Sequence, residues 1–389
     1  MKPASLRLAV WAIVLGSALT ASAAGPGYQA VNLVSDGSVA ALHTDPNLVN
    51  AWGIAFNPNG FVWVNDNGTG LATLYDGLGT PQSLVVSVPG DDGPADPTGI
   101  VFNSSSSFVV SDGNGHSGAS AFIFASEDGT ISGWSPGVPP PAPATVAHVE
   151  VDQAASGAVF KGLAIATNGG SPFIYATDFH NNRIDVFNGS FAQVTPTGSF
   201  TDPNIPAGFA PFGIQTINNQ LYVTYAKQDA VAHDDVAGPG NGFVDVYDLN
   251  GNMLHHLISQ GSLNSPWGLT LAPANFGVYS NDLLVGNFGD GLIHAYDPTT
   301  GAPLGTMSDN SGNPLVFDGL WGLQFGNGLN GQPTNGLFFT SGPQGESHGL
   351  YGRITQTPEP TSLAMAAVAA FGLAFVYRRN RRNAKTLAG

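Results

Sequence analysis

Carboxylate, amide and imidazole side chains recur in this 389-residue chain just after short apolar segments. Oxygen atoms that converge from several such segments could hold Ca²⁺, which takes roughly six to eight oxygen ligands. Histidines beside the carboxylates could instead hold a transition metal. Asp and Asn also cap tight turns through bonds to their own backbone, so a structural role is the alternative. The candidate ligands are Asp66, Asp112, His116, Asp178, His180, Asn287 and Asp290.

Other patterns do not predict a catalytic site. Residues 113–118 fit G-x-G-x-x-G, but they precede a predicted strand, and phosphate binding needs a helix N-terminus at that point. His255 and His256 are adjacent on a predicted strand, so their side chains point to opposite faces and cannot share one metal ion. The chain contains no H-E-x-x-H sequence and no EF-hand loop. The sequence therefore gives candidate ligands without a recognised catalytic motif.

Six related segments must position these side chains, and each contains a glycine in an apolar setting. Their spacing runs from 46 residues (53 to 99) to 63 residues (99 to 162), which indicates a repeat architecture. Glycine has no Cβ, so we expect the backbones to converge there around a central channel. The repeated glycines are Gly53, Gly99, Gly162, Gly213, Gly268 and Gly322. The aromatic residues expected to precede them and to pack between neighbouring repeats are Trp52, Phe160, Phe212, Trp267 and Trp321.

Each repeat contains short apolar runs separated by turn sequences, which predicts four antiparallel strands, a to d. In repeat two, strand b is predicted at 108–112 and strand c at 121–124. The sixth repeat has no fourth strand of its own, and the N-terminal segment 29–35 can supply it. The predicted fold is all-β: a six-bladed β-propeller over residues 25–356, closed by that N-terminal strand. The proline-rich stretch 135–143 is predicted to be a surface loop.

Composition and charge restrict the partners of this predicted body. The chain has 52 Gly, 28 Pro and no Cys, so it contains neither disulfides nor thiolate metal sites. Between residues 25 and 356 there are four Lys and Arg residues and 26 Asp and Glu residues, a net charge of −22. Such an acidic surface disfavours nucleic acid and favours cations or uncharged ligands.

Both ends of the chain carry targeting signals. Residues 1–24 combine two cations, an apolar run and small residues, which predicts a secretory signal peptide. At the other end, residues 357–389 contain an apolar run at 363–377, which predicts a transmembrane helix with a cytoplasmic basic tail. The residues that mark this end are Pro358, Glu359, Pro360, Arg378, Arg379, Arg381 and Arg382.

This C-terminal arrangement resembles the PEP-CTERM sorting signal of exosortase substrates. The resemblance implies an exported protein that is anchored in the membrane by its C-terminus and then processed by an exosortase-type enzyme. The expected location is the cell envelope, the cell surface or the extracellular matrix.

The repeat pattern of Pro-x-Gly-Ile/Leu followed by two apolar strands resembles NHL-repeat and SMP-30-like propellers, and the whole chain resembles a family of PEP-CTERM-sorted propellers. Two functions stay open. The first is a non-enzymatic protein that binds extracellular polysaccharide or a surface protein. The second is a metal-dependent enzyme of the lactonase or lyase kind. SMP-30-like lactonases use a Glu ligand from an early strand, and the body has none before Glu127. No cofactor other than Ca²⁺ or a transition metal is suggested.

Overall fold

A computed structural model describes residues 27–357, which contain six sheets of four or five strands and two small two-stranded sheets. The innermost strands of successive sheets contact one another in sequence, and that of the sixth sheet contacts that of the first, so the sheets close into a ring. This is the predicted six-bladed propeller. We number the blades in the order of their innermost strands and call the strands of each blade a to d.

Blades one to three follow one another along the chain. Blade one comprises Ala51–Phe56, Val62–Asp66, Leu71–Tyr75 and Pro81–Ser87. Blade two comprises Pro97–Phe102, Phe122–Ser126, Thr130–Trp134 and His148–Asp152. Blade three comprises Phe160–Asn168, Ser171–Asp178, Arg183–Asn188 and Gln193–Val194.

Blades four to six complete the ring. Blade four comprises Phe209–Ile217, Gln220–Lys227, Gly242–Tyr247 and Met253–Ser259. Blade five comprises Pro266–Leu271, Leu283–Asn287, Ile293–Tyr296 and Pro303–Thr306. Blade six comprises Leu320–Phe325, Leu337–Ser341, Leu350–Gln356 and the N-terminal strand Tyr28–Ser35.

The N-terminal strand closes the ring as predicted. It pairs antiparallel with Leu350–Gln356, from Tyr28 opposite Gln356 to Ser35 opposite Leu350. Leu33 and Val34 are fully buried against blades one and six. Because the first and last parts of the chain share one sheet, strand c of blade six is not left as an unpaired edge.

The strand assignment predicted for repeat two is wrong. Strand b is Phe122–Ser126, which pairs with Pro97–Phe102. The segment predicted as strand b instead contains Val109–Ser111, which pairs only with Ser117–Ala119 in a hairpin inserted between strands a and b. Both segments are short and apolar, so periodicity alone does not tell an inserted hairpin from a blade strand. The proline-rich stretch lies, as a loop, between strands c and d of this blade.

The repeated glycines lie where the innermost strands approach most closely. A Cβ on Gly53, Gly213 or Gly268 would lie 2.2, 2.1 or 2.5 Å from a backbone carbonyl oxygen of the next blade. In each case that carbonyl belongs to the residue just before the glycine of the next blade. The expected convergence of backbones at these glycines is therefore present.

No helix within residues 27–357 is long and apolar enough to cross a bilayer. The predicted signal peptide at 1–24 and the predicted transmembrane helix at 363–377 lie outside the described residues.

Gly213→Ala tests the close approach of the inner strands. The added methyl group would meet the rigid backbone of Trp267, so we expect a loss of about 1–3 kcal/mol in the free energy of unfolding, or more. Gly137→Ala is the matched control, because a Cβ there would meet no atom within 4 Å, and it should change stability by less than about 0.5 kcal/mol. Chemical denaturation measures both, and equal effects would contradict the packing argument.

Candidate functional site

Two of the predicted ligands that end strand b, Asp178 and Asn287, are buried and hydrogen-bonded to the protein. Asp178 is fully buried, and its carboxylate accepts hydrogen bonds from the backbone of Val159 at 3.2 Å and from the amide of Asn181 at 2.8 Å. It also pairs with Arg183 at 3.1 Å. Asn287 is fully buried and donates to the carbonyl of Ser262 at 2.8 Å. Both side chains therefore hold the ends of their own strands.

Asp66 is enclosed inside blade one. Its side chain is fully buried, and burial raises the pKa of its carboxyl group well above the ordinary value, with the charge of Asp45 adding to the effect. Within residues 27–357, neither carboxylate oxygen has a hydrogen-bond partner. The surroundings of this carboxyl group therefore disfavour its ionised form.

The remaining predicted ligands are dispersed. Asp112 and His116 contact each other at 2.7 Å in the turn of the inserted hairpin. That hairpin follows strand a, so it lies at the opposite end of the propeller from the connections that follow strand b. His180 is exposed in a blade-three turn, and Asp290 accepts from Asn287 at 3.1 Å. The structure does not bring the seven predicted ligands together.

The side chains that do converge at the channel belong to the residues that directly follow strand b, one position after the predicted ligands. The residue just after strand b in each blade lies at the mouth of the channel, at the end where strand a begins. Phe288 stacks on Trp321 with ring centroids 4.1 Å apart, and Phe179 contacts Phe212 at 5.2 Å. Side chains alternate in direction along a strand. The last residue of strand b is therefore buried within the blade, and the next residue lies over the channel. The six residues are Asn67, Glu127, Phe179, Gln228, Phe288 and Gly342.

Below this ring lies an aromatic cluster formed by residues that precede the repeated glycines. Trp52 and Trp321 stack with ring centroids 3.6 Å apart, and Trp267 meets both edge-on at 6.3 and 6.0 Å. Phe212 contacts Trp321 at 5.8 Å. The predicted packing between neighbouring blades is present in part, since Trp321 of blade six stacks on Trp52 of blade one and contacts Trp267 of blade five. The contacts of Trp52 with Trp267 and of Phe212 with Trp321 join blades that are not neighbours, so the cluster also spans the axis. Phe160 packs in the core shared by blades two and three.

Lys161 replaces the aromatic residue at this position in blade three. Its side chain is 2% exposed, and its Nζ lies 5.4 Å from the ring centroid of Trp52. The ammonium group donates to Glu127 and, at 3.2 Å, to Asp234. Burial acts to lower the pKa of Lys161, but the charges of Glu127 and Asp234 outweigh it and hold the pKa above the ordinary value. A buried cation thus stands among acids at the centre of the mouth.

A polar network continues from Glu127 to blade six. The amide of Asn67 donates to Glu127 at 2.9 Å, and Asn50 donates to Asn67 at 2.9 Å and to Glu346 at 3.4 Å. Trp321 Nε1 donates to Asn50 at 3.0 Å. Burial raises the pKa of Glu346 to about 7, the charge of Glu127 adds to this, and Lys161 opposes it.

A long connection in blade four, residues 228–241, extends over the mouth. It carries Asp234 to the lysine of blade three, and His233 Nδ1 lies 2.9 Å from Asp234. Burial raises the pKa of Asp235 to about 6. One ligand atom each from Glu127, His233 and Asp234 lies within 4.8 Å of the others, so these three could form a metal centre.

Two signals in the sequence could have located this site. Glu127 directly follows strand b of blade two, but because strand b is predicted at 108–112, the ligand predicted from the sequence for this blade is Asp112. Lys161 is one of four cations in the body, and it stands directly before a repeated glycine.

The opposite end of the channel is chemically different. It contains a cavity of about 300 Å³ whose polar side chains are Gln215, Thr216 and Gln324. The charged groups are therefore concentrated at the end where strand a begins.

Comparison with known proteins identifies the C-terminal segment and a set of relatives. Residues 356–382 match the PEP-CTERM protein-sorting motif. The uncharacterized protein L690 of Acanthamoeba polyphaga mimivirus is 36% identical over 299 residues, which cover 75% of this chain and 77% of L690.

Two solved structures that are similar to this chain have low sequence identity to it. A protein of unknown function from Bacteroides thetaiotaomicron VPI-5482 matches with a TM-score of 0.54 and 10% identity, over 85% of this chain and 76% of that chain. Virginiamycin B lyase from Staphylococcus aureus matches with a TM-score of 0.49 and 13% identity, over 85% of this chain and 99% of that chain. At 10% identity, the likeness to the Bacteroides protein concerns the fold alone.

The raised pKa of Glu346 predicts a stability that depends on pH. The carboxyl group titrates near pH 7 in the folded protein and near its ordinary 4.5 in the unfolded chain, so the folded state binds the extra proton between these values. Stability should therefore fall as the pH rises from about 4.5 to about 7. Asp235 adds a contribution of the same sign.

Glu346→Gln should remove the Glu346 contribution and stabilise the protein at pH 8 by roughly 1–2 kcal/mol, after allowance for solvent screening. Denaturation series at pH 5, 6.5 and 8 measure the effect, and the exposed Asp92→Asn serves as control. An unchanged pH profile in Glu346→Gln would contradict the assignment.

Proposed function

The chain belongs to the family of the mimivirus protein L690, and we propose that it is an exported surface propeller that binds an uncharged, hydroxyl-rich ligand at the channel mouth without converting it chemically. The PEP-CTERM motif implies export, anchoring by the C-terminus and processing by an exosortase. Polysaccharide of the cell surface or extracellular matrix is the ligand class that fits this location. Processing near Pro358, Glu359 and Pro360 stays a prediction.

The position of Lys161 is the observation that carries this proposal. Its ammonium group lies between Glu127 and Asp234, where a divalent cation would otherwise bind. The lysine neutralises part of the acidic charge and keeps the carboxylates oriented as hydrogen-bond acceptors. An acceptor-rich mouth of this kind suits the hydroxyl groups of a sugar.

The aromatic residues around the acids support the same ligand class. Phe288 is half-buried over Trp321, beside the polar half of the mouth. An apolar ring next to a few oriented polar groups is the usual composition of a small-ligand site. The net charge of −22 between residues 25 and 356 opposes anionic polymers, so a neutral glycan is favoured over a sulfated or uronate-rich one.

Glycan binding by the purified protein tests the proposal. Neutral oligosaccharides should bind, anionic ones should not, and Phe288→Ala should weaken the binding about tenfold, which corresponds to 1.4 kcal/mol. Val278→Ala is the matched control, because Val278 is exposed in the connection between strands a and b of blade five, at the other end of the propeller. A preference for anionic glycans, or equal binding by Phe288→Ala, would contradict the proposal.

The second candidate is a metal-dependent enzyme of the lactonase or lyase kind. It is favoured by the convergence of Glu127, His233 and Asp234 at the mouth, with Ca²⁺ as the metal suggested by carboxylate ligands. In this function the metal would have to displace the ammonium group of Lys161 from Glu127.

Calcium titration of Lys161→Met separates the two functions. If Lys161 acts as the cation of the mouth, the wild-type protein should show no Ca²⁺ binding that depends on Glu127. Lys161→Met should then gain such binding, and Glu127→Gln in the same background should abolish it. Calorimetry measures the binding, with Lys227→Met at an exposed position as control. Glu127-dependent Ca²⁺ binding and lactone hydrolysis by the wild-type protein would instead establish the enzyme.

A further inference from the structure

A second cluster of metal-ligating side chains lies in the outer strands of blade four. Asp245 on strand c and His256 on strand d are direct partners in the sheet register. Asp202 reaches them from the connection between blades three and four. One ligand atom from each residue lies within 4.8 Å of the other two.

The three ligand atoms share a small space. His256 Nδ1 lies 2.5 Å from Asp202 Oδ2 and 2.9 Å from Asp245 Oδ1. Both aspartate side chains are fully buried, and that of the histidine is 23% exposed. Two carboxylates that share one imidazole in a desolvated site carry more negative charge than the ring can neutralise.

One carboxylate oxygen has no hydrogen-bond donor. Asp202 Oδ1 accepts from the backbone and the amide of Asn204, at 2.7 and 2.8 Å, so the side chain is fixed. Its Oδ2 is buried, points at the cluster and receives no hydrogen bond from any residue between 27 and 357. This oxygen lies within ion-pair distance of His256 Nδ1. A buried acceptor left in this state is costly unless a cation binds it.

Two neighbouring hydroxyl groups contact the outer atoms of these ligands. His256 Nε2 lies 2.5 Å from Ser259 Oγ and can share a hydrogen bond with this hydroxyl while Nδ1 faces the two carboxylates. Tyr247 donates its hydroxyl to Asp245 Oδ2 at 3.1 Å, which orients the second carboxylate. Hydrogen bonds of this kind to the outer atoms are typical of ligands in metal sites.

A cavity borders Asp202, one of the three side chains of the cluster. It has a volume of about 100 Å³, and Asp202 and Tyr225 form part of its wall. Water from this cavity could complete a tetrahedral or five-coordinate arrangement, as in zinc sites with three protein ligands.

We propose that Asp202, Asp245 and His256 form a binding site for one divalent transition-metal ion, with Zn²⁺ as the ion that best suits two carboxylates and one imidazole. The site is separate from the channel mouth, and it does not depend on the function proposed for that mouth. Because Asp202 belongs to the connection between blades three and four, a bound ion would join this connection to the outer strands of blade four.

Zinc titration of the full protein, freed of affinity tag and dialysed against chelator, tests the site. We expect one Zn²⁺ per chain with submicromolar affinity, and His256→Gln should weaken binding at least about 100-fold. His255→Gln is the matched control, because His255 is adjacent, exposed and on the opposite face of the strand, and it should bind zinc like the wild type. Retained affinity in His256→Gln would overturn the proposal.

Crystallography of the wild-type protein tests the same site without a variant. An anomalous peak at the zinc edge should lie about 2.0–2.2 Å from Asp202 Oδ2, Asp245 Oδ1 and His256 Nδ1. Nitrogen-detected NMR should show His256 with Nδ1 unprotonated once zinc is added. A peak only at Glu127 and Asp234, or a ring that keeps protons on both nitrogens in the presence of zinc, would contradict the proposal.

Discussion

The structure depends on how closely the six innermost strands approach one another. Each repeated glycine faces the backbone of the next blade at a distance that excludes a side chain, so the strands can form a narrow ring only where glycine is present. This constraint also fixes the neighbouring position. The residue before each glycine must stand at the channel mouth, and in four blades that residue is aromatic: Trp52, Phe212, Trp267 and Trp321. The aromatic cluster that fills the axis is thus a consequence of the backbone packing.

Much of this architecture follows from the sequence, because the signals are repeated. Six glycines in similar settings predicted six blades, and the missing strand of the last repeat predicted closure by the N-terminal segment, which Tyr28–Ser35 provides. Repeat two was misassigned because the inserted hairpin Val109–Ala119 has the length and apolarity of a blade strand. Local periodicity gives the existence of a strand, but only the pairing partner shows whether it belongs to the blade.

The ligands predicted from the repeat lie at the end of strand b, whereas the residues at the channel mouth lie one position further along the chain. Asp66, Asp178 and Asn287 share a position in the repeat, and this shared position identified them as candidates. In the structure a shared position indicates a shared structural task, here the end of strand b. The residues that differ between blades, such as Glu127 and Phe288, stand over the channel, where packing against the next blade does not restrict them. In a repeat protein, the departures from the repeat are therefore the better guide to function.

Lys161 is the clearest of these departures from the repeat, and burying its charge costs free energy. An aromatic residue at this position would extend the apolar cluster, whereas an ammonium group must be desolvated and paired. Buried ion pairs rarely stabilise a fold more than well-packed apolar residues would, so stability alone does not account for the lysine. Its contacts do account for it: it orients Glu127 and holds Asp234, and with it the 228–241 connection, over the mouth. The lysine thus joins three blades around one polar centre.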